Sequence, residues 1–468
     1  MSVLGRARRF HFVGIGGIGM SGIAELLVNL GYDVSGSDAR RSDITDRLQS
    51  LGVRFAEGHE AAHLGNAEVL IYSSAVPEAN PEMAAARQRG LPLVRRAELL
   101  SELMASQQAI AVAGAHGKTT TTSMIAVMLD AAGLDPTAVI GGKVAAFGSN
   151  ARLGEGDYFV AEADESDRSF LELKPRMAII TNIDREHLEA YRDFEDLQQA
   201  FVTFANSVPA AGAVILCADD QHLRRLRPLI RRRVVTYGRS ADAEITASGI
   251  RLNGFGSTCT VTANAGRVLS DPGPALLELS VPGVHNVLNA LAAIAVGRDL
   301  GLNWDAMARG LKQFQGAERR FQRRGEENGV TVVEDYGHHP TEIAAVLAAA
   351  KPIAAGRLIV AFQPHRFSRT RSLIAEFGDA FEGADALFLT DIYAAGEKPV
   401  AGADLDSLAA RIRSAFKGEL HVIRALPEMP AALAGFARPG DLIVLLGAGS
   451  IGSIAPAVLD ELKKTSRH

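Results

Sequence analysis

Cysteine is scarce in this chain: 468 residues contain two, Cys217 and Cys259. They lie far apart without metal-ligand spacing, which argues against a disulfide framework or a structural zinc site and fits a reducing cytoplasm. Long apolar runs are also missing. No stretch reaches the roughly 18 residues of a membrane span. The basic start, 1–9, passes through Phe10-His11-Phe12-Val13 straight into glycines, so no signal peptide is expected. Nor is there an excess of one charge: 49 Lys and Arg against 54 Asp and Glu give a net −5, which offers nothing to nucleic acid. The local Arg-rich stretch 224–233 reads as a solvated helix face. Low-complexity tracts and convincing internal repeats are absent. What remains is an ordinary globular composition, 47% apolar and 22% charged, on a chain long enough for two to three domains.

The most informative segment is Val112-Ala113-Gly114-Ala115-His116-Gly117-Lys118-Thr119-Thr120. An apolar run over 109–113 predicts a buried strand, and 124–129 has a helical period. A glycine-rich turn between them aims backbone N–H groups and a helix N-terminus at one point, as phosphate requires. Lys118 adds charge for the terminal phosphates and Thr119 a hydroxyl for Mg²⁺. A full P-loop has glycine five residues before the Gly-Lys pair. Val112 stands there instead, so an ordinary motor or GTPase is not expected.

A second glycine turn, Gly14-Ile15-Gly16-Gly17-Ile18-Gly19, follows a short strand over 9–13 and precedes a helix over 20–30. The next strand ends at Asp38. This βαβ pattern with a GxGxxG turn and a later acid binds a dinucleotide or another diphosphate. Ser73 and Ser74 sit at the end of a further strand, where such sheets hold ligands, although turn and cap chemistry explains them as simply.

Beyond residue 109 the alternation of strand and helix continues. Glu162-Ala163-Asp164-Glu165-Ser166-Asp167 follows one strand, and Asn182-Ile183-Asp184-Arg185-Glu186-His187 another. Strand C-termini in a parallel sheet share an edge with the phosphate loop, so Glu162 and His187 can converge on a metal there. Mg²⁺ prefers oxygen, which makes His187 an unusual choice. Solvated acids and a surface histidine are the plainer alternatives. The run 234–279 has short alternating patterns and reads as a β-rich addition to the central block. Asn286 and Asn289, at i and i+3 of a helix over 286–300, share a face that can meet a purine edge or a phosphate; capping by Asn286 is the alternative. The third block begins near Arg319, with strands over 330–334, 358–362, 386–390 and 442–446 and helices over 341–350, 371–381 and 454–462. Asp335-Tyr336-Gly337-His338 and His365-Arg366-Phe367-Ser368-Arg369 follow two of its strands, and their guanidinium groups suit a carboxylate. The fold class is therefore α/β, with three consecutive domains: Rossmann-like, P-loop-type ATPase with a mainly parallel sheet and the β-rich addition, and Rossmann-like again. The boundaries fall at 1–107, 108–318 and 319–468.

Taken together, Gly14 to Gly22, Gly114 to Thr120, Glu162 to Asp167, His285-Asn286-Val287-Leu288-Asn289, Arg319-Arg320-Phe321 and Asp335-Tyr336-Gly337-His338-His339-Pro340 resemble the motifs of the Mur ligase family, the ATP-dependent amide-forming enzymes of bacterial peptidoglycan synthesis. Six ordered motifs over nearly the whole chain are far more specific than any one. The resemblance is to the branch that joins L-alanine to UDP-N-acetylmuramate. It implies that Gly14, Ile15, Gly16, Gly17, Ile18, Gly19, Asp38, Ser73 and Ser74 hold the UDP part. It implies that Gly114, Ala115, His116, Gly117, Lys118, Thr119, Thr120, Asn286, Asn289, Arg320 and Asp335 form the ATP site. Thr119, Glu162 and His187 would carry Mg²⁺, or Mn²⁺. Tyr336, His338, Arg366 and Arg369 would take alanine, and the catalytic set would be Lys118, Glu162, His187, Arg320 and Asp335. An acyl-phosphate intermediate and closure of the third domain over the second are implied, in a cytoplasmic monomer or homodimer. The rival readings are a recycling ligase that attaches a tripeptide to the same acceptor, a nicotinamide-dependent oxidoreductase, and a nucleotide-binding regulator without turnover. Glu162 to Asp167 and Gly148-Ser149-Asn150-Ala151-Arg152 look more like the alanine branch. The oxidoreductase reading leaves Lys118, Glu162 and Arg320 unused.

Overall fold

Three sheets follow one another along the chain in the computed structural model, which describes residues 3–263 and 274–465. The first has five parallel strands, β1 (Arg9–Val13), β2 (Asp33–Asp38), β3 (Arg54–Glu57), β4 (Val69–Tyr72) and β5 (Leu93–Arg95), in the order β3-β2-β1-β4-β5. Phe10, Phe12, Val13, Leu70 and Ile71 are buried, as expected for central strands covered on both faces. The strand order reverses between β1 and β4, and sheets of this kind bind ligands beyond the strand ends at that point.

The second sheet comprises β6 (Gln108–Ala113), β7 (Thr137–Val144), β8 (Ser149–Arg152), β9 (Tyr158–Glu162), β10 (Met177–Ile180), β11 (Ala213–Cys217), β12 (Val234–Gly238), β13 (Ile245–Asn253), β14 (Gly256–Ala263) and β15 (Ala275–Leu279), in the order β15-β14-β13-β12-β11-β10-β6-β9-β7-β8. Strand β6 pairs in parallel with β9 on one side and β10 on the other, with Val112 opposite Glu162 and Ala113 opposite Ile180. This register brings the ends of all three strands to one edge. The third sheet holds β16 (Gln322–Glu327), β17 (Val330–Asp335), β18 (Leu358–Phe362), β19 (Ala386–Leu389), β20 (Glu419–Val422) and β21 (Leu442–Leu446), in the order β16-β17-β21-β18-β19-β20, parallel except for β16. Alternate residues feed two cores. Val333, Val360, Phe362 and Val444 face one, and Val332, Ile359, Ala361 and Ile443 the other.

The chain divides into two compact units. One is Met1–Ser248, Thr260–Ala275 and Leu288–Phe314; the other is Gly249–Cys259, Leu276–Val287 and Gln315–His468. The β-rich stretch 234–279 continues the second sheet as β12 to β15, and its segments Gly249–Cys259 and Leu276–Val287 group with the second unit. Phe255, at the tip of the β13–β14 hairpin, has its ring 6.1 Å from that of Phe321 and beneath the Arg323 guanidinium, both in the second unit. Alternation marks a strand but not the core its tip meets. Residues 264–273 of that stretch lie outside the described residues. The structure corrects the helix expected over 371–381. Leu373, Phe377 and Phe381 are buried at helical spacing, yet the chain forms a short helix, Phe367–Ser372, and a 3₁₀ turn, Glu376–Gly378. Gly378 disfavours a helix interior, and a Cβ added there would lie 3.0 Å from Arg411 Cζ. Strands β7, β8, β16 and β20 and the helices Leu405–Arg413 and Met429–Phe436 add to the elements the sequence predicts.

Candidate active site

The phosphate loop leaves the buried end of β6 and enters the helix Lys118–Ala131. Gly117 caps that helix at φ 81, a conformation that disfavours a side chain, and an added Cβ would lie 2.7 Å from Asn289 Oδ1. The loop is clamped from the neighbouring strand end. His116 N–H donates to Asn182 Oδ1 at 2.8 Å, Asn182 Nδ2 donates to the His116 carbonyl at 2.9 Å, and the Thr181 hydroxyl reaches the same carbonyl at 2.7 Å. His116 Nε2 lies 2.9 Å from Asp184. Asn289, buried, accepts from the Thr121 hydroxyl at 3.1 Å. The sequence places Asn182 at this edge but gives no sign that it fastens the loop.

Lys118 Nζ donates to the carbonyls of Gly114 (2.6 Å) and Ala115 (3.2 Å) and to Glu165 Oε1 (2.7 Å). Burial works against its charge, but Glu165, Glu162 and Asp164 outweigh burial and hold the ammonium above the ordinary lysine value. Burial pushes the Glu165 carboxyl up to about 7 against the pull of Lys118. Thr119 Oγ1 donates to Glu162 Oε2 at 2.9 Å, and Gly141 N–H reaches the same oxygen at 2.9 Å. A side chain on Gly141 would overlap that carboxylate. The structure thus brings Thr119 and Glu162 together, a pair of hard oxygen donors of the kind Mg²⁺ prefers. His187 stands at φ 57 at the head of a 3₁₀ turn beyond β10.

In the same unit, a cleft of about 710 Å³ opens over the β1–β4 switch point. Gly14, Gly16, Gly17, Asp38 and Ser73 line it. Asp38 accepts from Gly16 N–H at 2.9 Å, so its carboxylate shapes the turn. Ile15 turns inward, fully buried, and its N–H is spent on the Ser37 carbonyl. Ile18 is partly exposed, and Gly19 packs against Arg96. Ser74 donates to Asp167 at 2.6 Å and lines a smaller neighbouring pocket with Arg95 and Arg96. Arg40, His59 and Asn80 line the larger cleft without having been singled out from the sequence. His59 Nδ1 lies 3.0 Å from Ser37 Oγ, which donates at 2.7 Å to the fully buried Glu82. No motif marks that polar chain, because its members come from three separate segments.

The second unit carries the other predicted residues. Asn286, buried, donates to the Pro282 carbonyl at 2.7 Å. Arg319 and Phe321 both take positive φ around Arg320. Buried Asp335 accepts from Phe321 N–H at 2.7 Å and Gly337 N–H at 2.6 Å; burial lifts its carboxyl to about 6 against the pull of Arg320. The guanidinium groups of Arg319 and Arg320 lie 4.8 and 5.2 Å from the Tyr336 ring centre, within cation–π range. Beyond it run His338, His365 and Tyr393, each ring about 5.6 Å from the next. Burial lowers His338 to about 3 and His365 to about 4, so both are neutral at pH 7. Arg369 Nη1 lies 3.2 Å from His365 Nδ1; arginine only donates, so Nδ1 accepts and Nε2 carries the proton. Arg366, at φ 69, heads the helix that bears Arg369. His365 lies within the motif read from sequence, whereas Tyr393, after β19, has no local signal.

Comparison with known proteins adds to this geometry. Three family models match in order: Mur ligase family, catalytic domain, over residues 9–108; Mur ligase middle domain over 112–297; and Mur ligase, glutamate ligase domain, over 319–449. The UDP-N-acetylmuramate–L-alanine ligase of Geotalea uraniireducens is 49% identical over 459 residues, covering 98% of this chain and 99% of the relative. That of Myxococcus xanthus is 50% identical over 459 residues, covering 98% and 96%. Among solved structures, the UDP-N-acetylmuramate-alanine ligase of Thermotoga maritima superposes with a TM-score of 0.82 at 29% identity, over 98% of this chain and 99% of that one. The murein peptide ligase of Psychrobacter arcticus gives 0.71 at 27% identity, over 97% and 99%.

Proposed function

Because the chain belongs to the Mur ligase family, we propose that it joins L-alanine to UDP-N-acetylmuramate with ATP, releasing ADP and phosphate, for peptidoglycan synthesis in the cytoplasm. The observation that carries this reading is the cluster at one sheet edge: Lys118 at the phosphate loop, with Thr119 and Glu162 in hydrogen bond beside it. Alanine rather than a tripeptide is favoured by the relatives, about half identical along the chain, that bear the alanine ligase name. Among the described residues no helix is long and apolar enough to cross a membrane.

The functional domains are 1–107 for the UDP substrate, 108–318 for ATP and 319–468 for the amino acid. In the first, the glycine turn and Asp38 hold the UDP part along the cleft. In the second, the acceptor's lactyl carboxylate attacks the γ-phosphorus, the bond to the ADP oxygen breaks, and an acyl phosphate forms. Backbone N–H groups of the loop and Lys118 neutralise the phosphate oxygens, and Gly117 lets the backbone approach them. Thr119 and Glu162, with His187, would hold Mg²⁺, which supplies charge neutralisation at the transferring phosphoryl group. Asn286, Asn289, Arg320 and Asp335 are assigned to the nucleotide. Alanine's uncharged amine then attacks the acyl carbon, the tetrahedral adduct loses a proton and expels phosphate, and the amide remains. Tyr336, His338, Arg366 and Arg369 are assigned to alanine, with the two guanidinium groups on its carboxylate. Incubation with ATP, Mg²⁺, UDP-N-acetylmuramate and equal amounts of L-alanine and the tripeptide tests the choice of branch by product mass. The L-alanine adduct is expected, and a tripeptide adduct alone would transfer the reading to the recycling ligase.

Two further outcomes follow. Arg369→Ala and Arg366→Ala should raise the KM for alanine more than that for ATP, since a lost charge-assisted contact costs about 1.5–3 kcal/mol. Equal shifts in both constants would remove these residues from the amino-acid site. Several later Mur ligases use a carbamylated lysine after the metal histidine to support a second Mg²⁺. Here 188–223 contains no lysine, and Arg192, the one basic residue apart from His222, stays protonated. Activity should therefore not respond to bicarbonate depletion and re-addition at fixed pH. Reversible loss, with a carbamate mass shift, would contradict this.

A further inference from the structure

All three N–H groups of the Lys118 ammonium have protein acceptors. Two are carbonyls of the phosphate loop itself, which any lysine at this place would find. The third is a side chain from another strand end, Glu165. Its carboxyl is 3% exposed, and among the described residues Lys118 is the cation that bonds it. Its second oxygen, Oε2, is buried with no hydrogen-bond partner among the described residues. Its backbone is fixed, because the Tyr191 hydroxyl donates to the Glu165 carbonyl at 2.6 Å. The neighbouring charges are committed elsewhere. Asp164 is paired with Arg96, Arg168 with Asp196, and Glu162 accepts from Thr119 and Gly141. A buried carboxylate with one oxygen unsatisfied is not there for stability, since apolar packing would serve better.

We propose that Glu165 is a positioning residue that competes with the nucleotide's phosphates for Lys118, and so sets how tightly nucleotide is held. This rests on the reading of the loop as the ATP site. A phosphate that recruits Lys118 must take it from at least one acceptor, and Glu165 is the acceptor whose loss matters most. Handing over the lysine leaves a carboxylate buried without its counter-ion. Nucleotide affinity is then reduced by the fraction of lysine that is not free to engage phosphate. The functional gain is a weak grip on ADP, so that product leaves.

Binding of ADP with Mg²⁺, measured by calorimetry on the full-length enzyme, tests this. Glu165→Gln preserves shape and removes the charge, and should tighten ADP by about tenfold. The KM for ATP should fall in parallel, while the KM for UDP-N-acetylmuramate stays unchanged; a general structural defect would not separate the two. Glu165→Asp keeps the charge but withdraws it from the ammonium, and should fall between parent and Gln. If Glu165→Gln does not fold, the Asp variant decides alone: tighter ADP binding supports competition, and equal or weaker binding overturns it. Lys118→Ala separates the two levels of the reading. Should it bind ADP as the parent does, the phosphate-loop assignment fails and the proposal with it. Should it lose ADP while both Glu165 variants show no gain, the proposal alone falls.

Discussion

Lys118→Ala should lower ligation by at least about 10³-fold, because it removes the charged donor proposed to neutralise the transferring phosphate. Its affinity for UDP-N-acetylmuramate should stay close to that of the parent enzyme. The reason is spatial: the cleft proposed for the UDP part is lined by Gly14, Gly16, Gly17, Asp38 and Ser73, and Lys118 is not among its walls. Equilibrium binding of UDP-N-acetylmuramate and initial rates of amide formation, measured on one preparation, check both halves. Retention of the parent rate would remove Lys118 from the chemistry. Loss of both properties would show a folding defect; Glu165 would then be the group to blame, since truncation strips its counter-ion.

Arg319→Ala should destabilise the second unit by about 3 kcal/mol, the cost of leaving a buried carboxylate with its best partner removed. Arg319 Nε donates to buried Glu334 at 2.7 Å, and Nη2 donates to the carbonyls of Gly447 (2.8 Å) and Gly449 (3.0 Å), tying the segment before β16 to the turn after β21. Arg324, 3.5 Å from the other Glu334 oxygen, limits the loss without replacing the fork. Hydrogen exchange should quicken in β17 and β21. The urea transition of the lone Trp304, which lies in the first unit, should not move. Unchanged protection in β17 and β21 would mean that Glu334 is adequately paired without Arg319. The adjacent Arg320 faces Tyr336 and lies 3.8 Å from Glu342.

The order of strands and helices around the phosphate loop was legible because it rests on local signals: a buried apolar run, glycines where the backbone must turn, and a helical period. Parallel pairing then fixes which edge the strand ends share, so Glu162 and Asn182 could be placed beside Lys118 without coordinates. What sequence could not give is the pairwise commitment of each side chain. Thr119 meeting Glu162, Asn182 fastening His116 and Glu165 holding Lys118 are non-local contacts that depend on register and rotamer. Glu165 stands in a run of acids and looks like any member of a solvated loop until its burial is known. What the hairpin tip at Phe255 packs against was illegible for a related reason. Alternation reports that one face is buried but not against what. The broken helix over 371–381 shows the converse limit: helical spacing of Leu373, Phe377 and Phe381 reports burial, while Gly378 disfavours a continuous helix there.

Phosphate release from ATP, followed continuously with UDP-N-acetylmuramate, Mg²⁺ and a panel of single amino acids, tests the proposed reaction most directly. Sustained release is expected with L-alanine, equal in amount to the amide formed, and none when either the alanine or the UDP acceptor is omitted. Release that ignores L-alanine, or that appears only with the tripeptide, would contradict it.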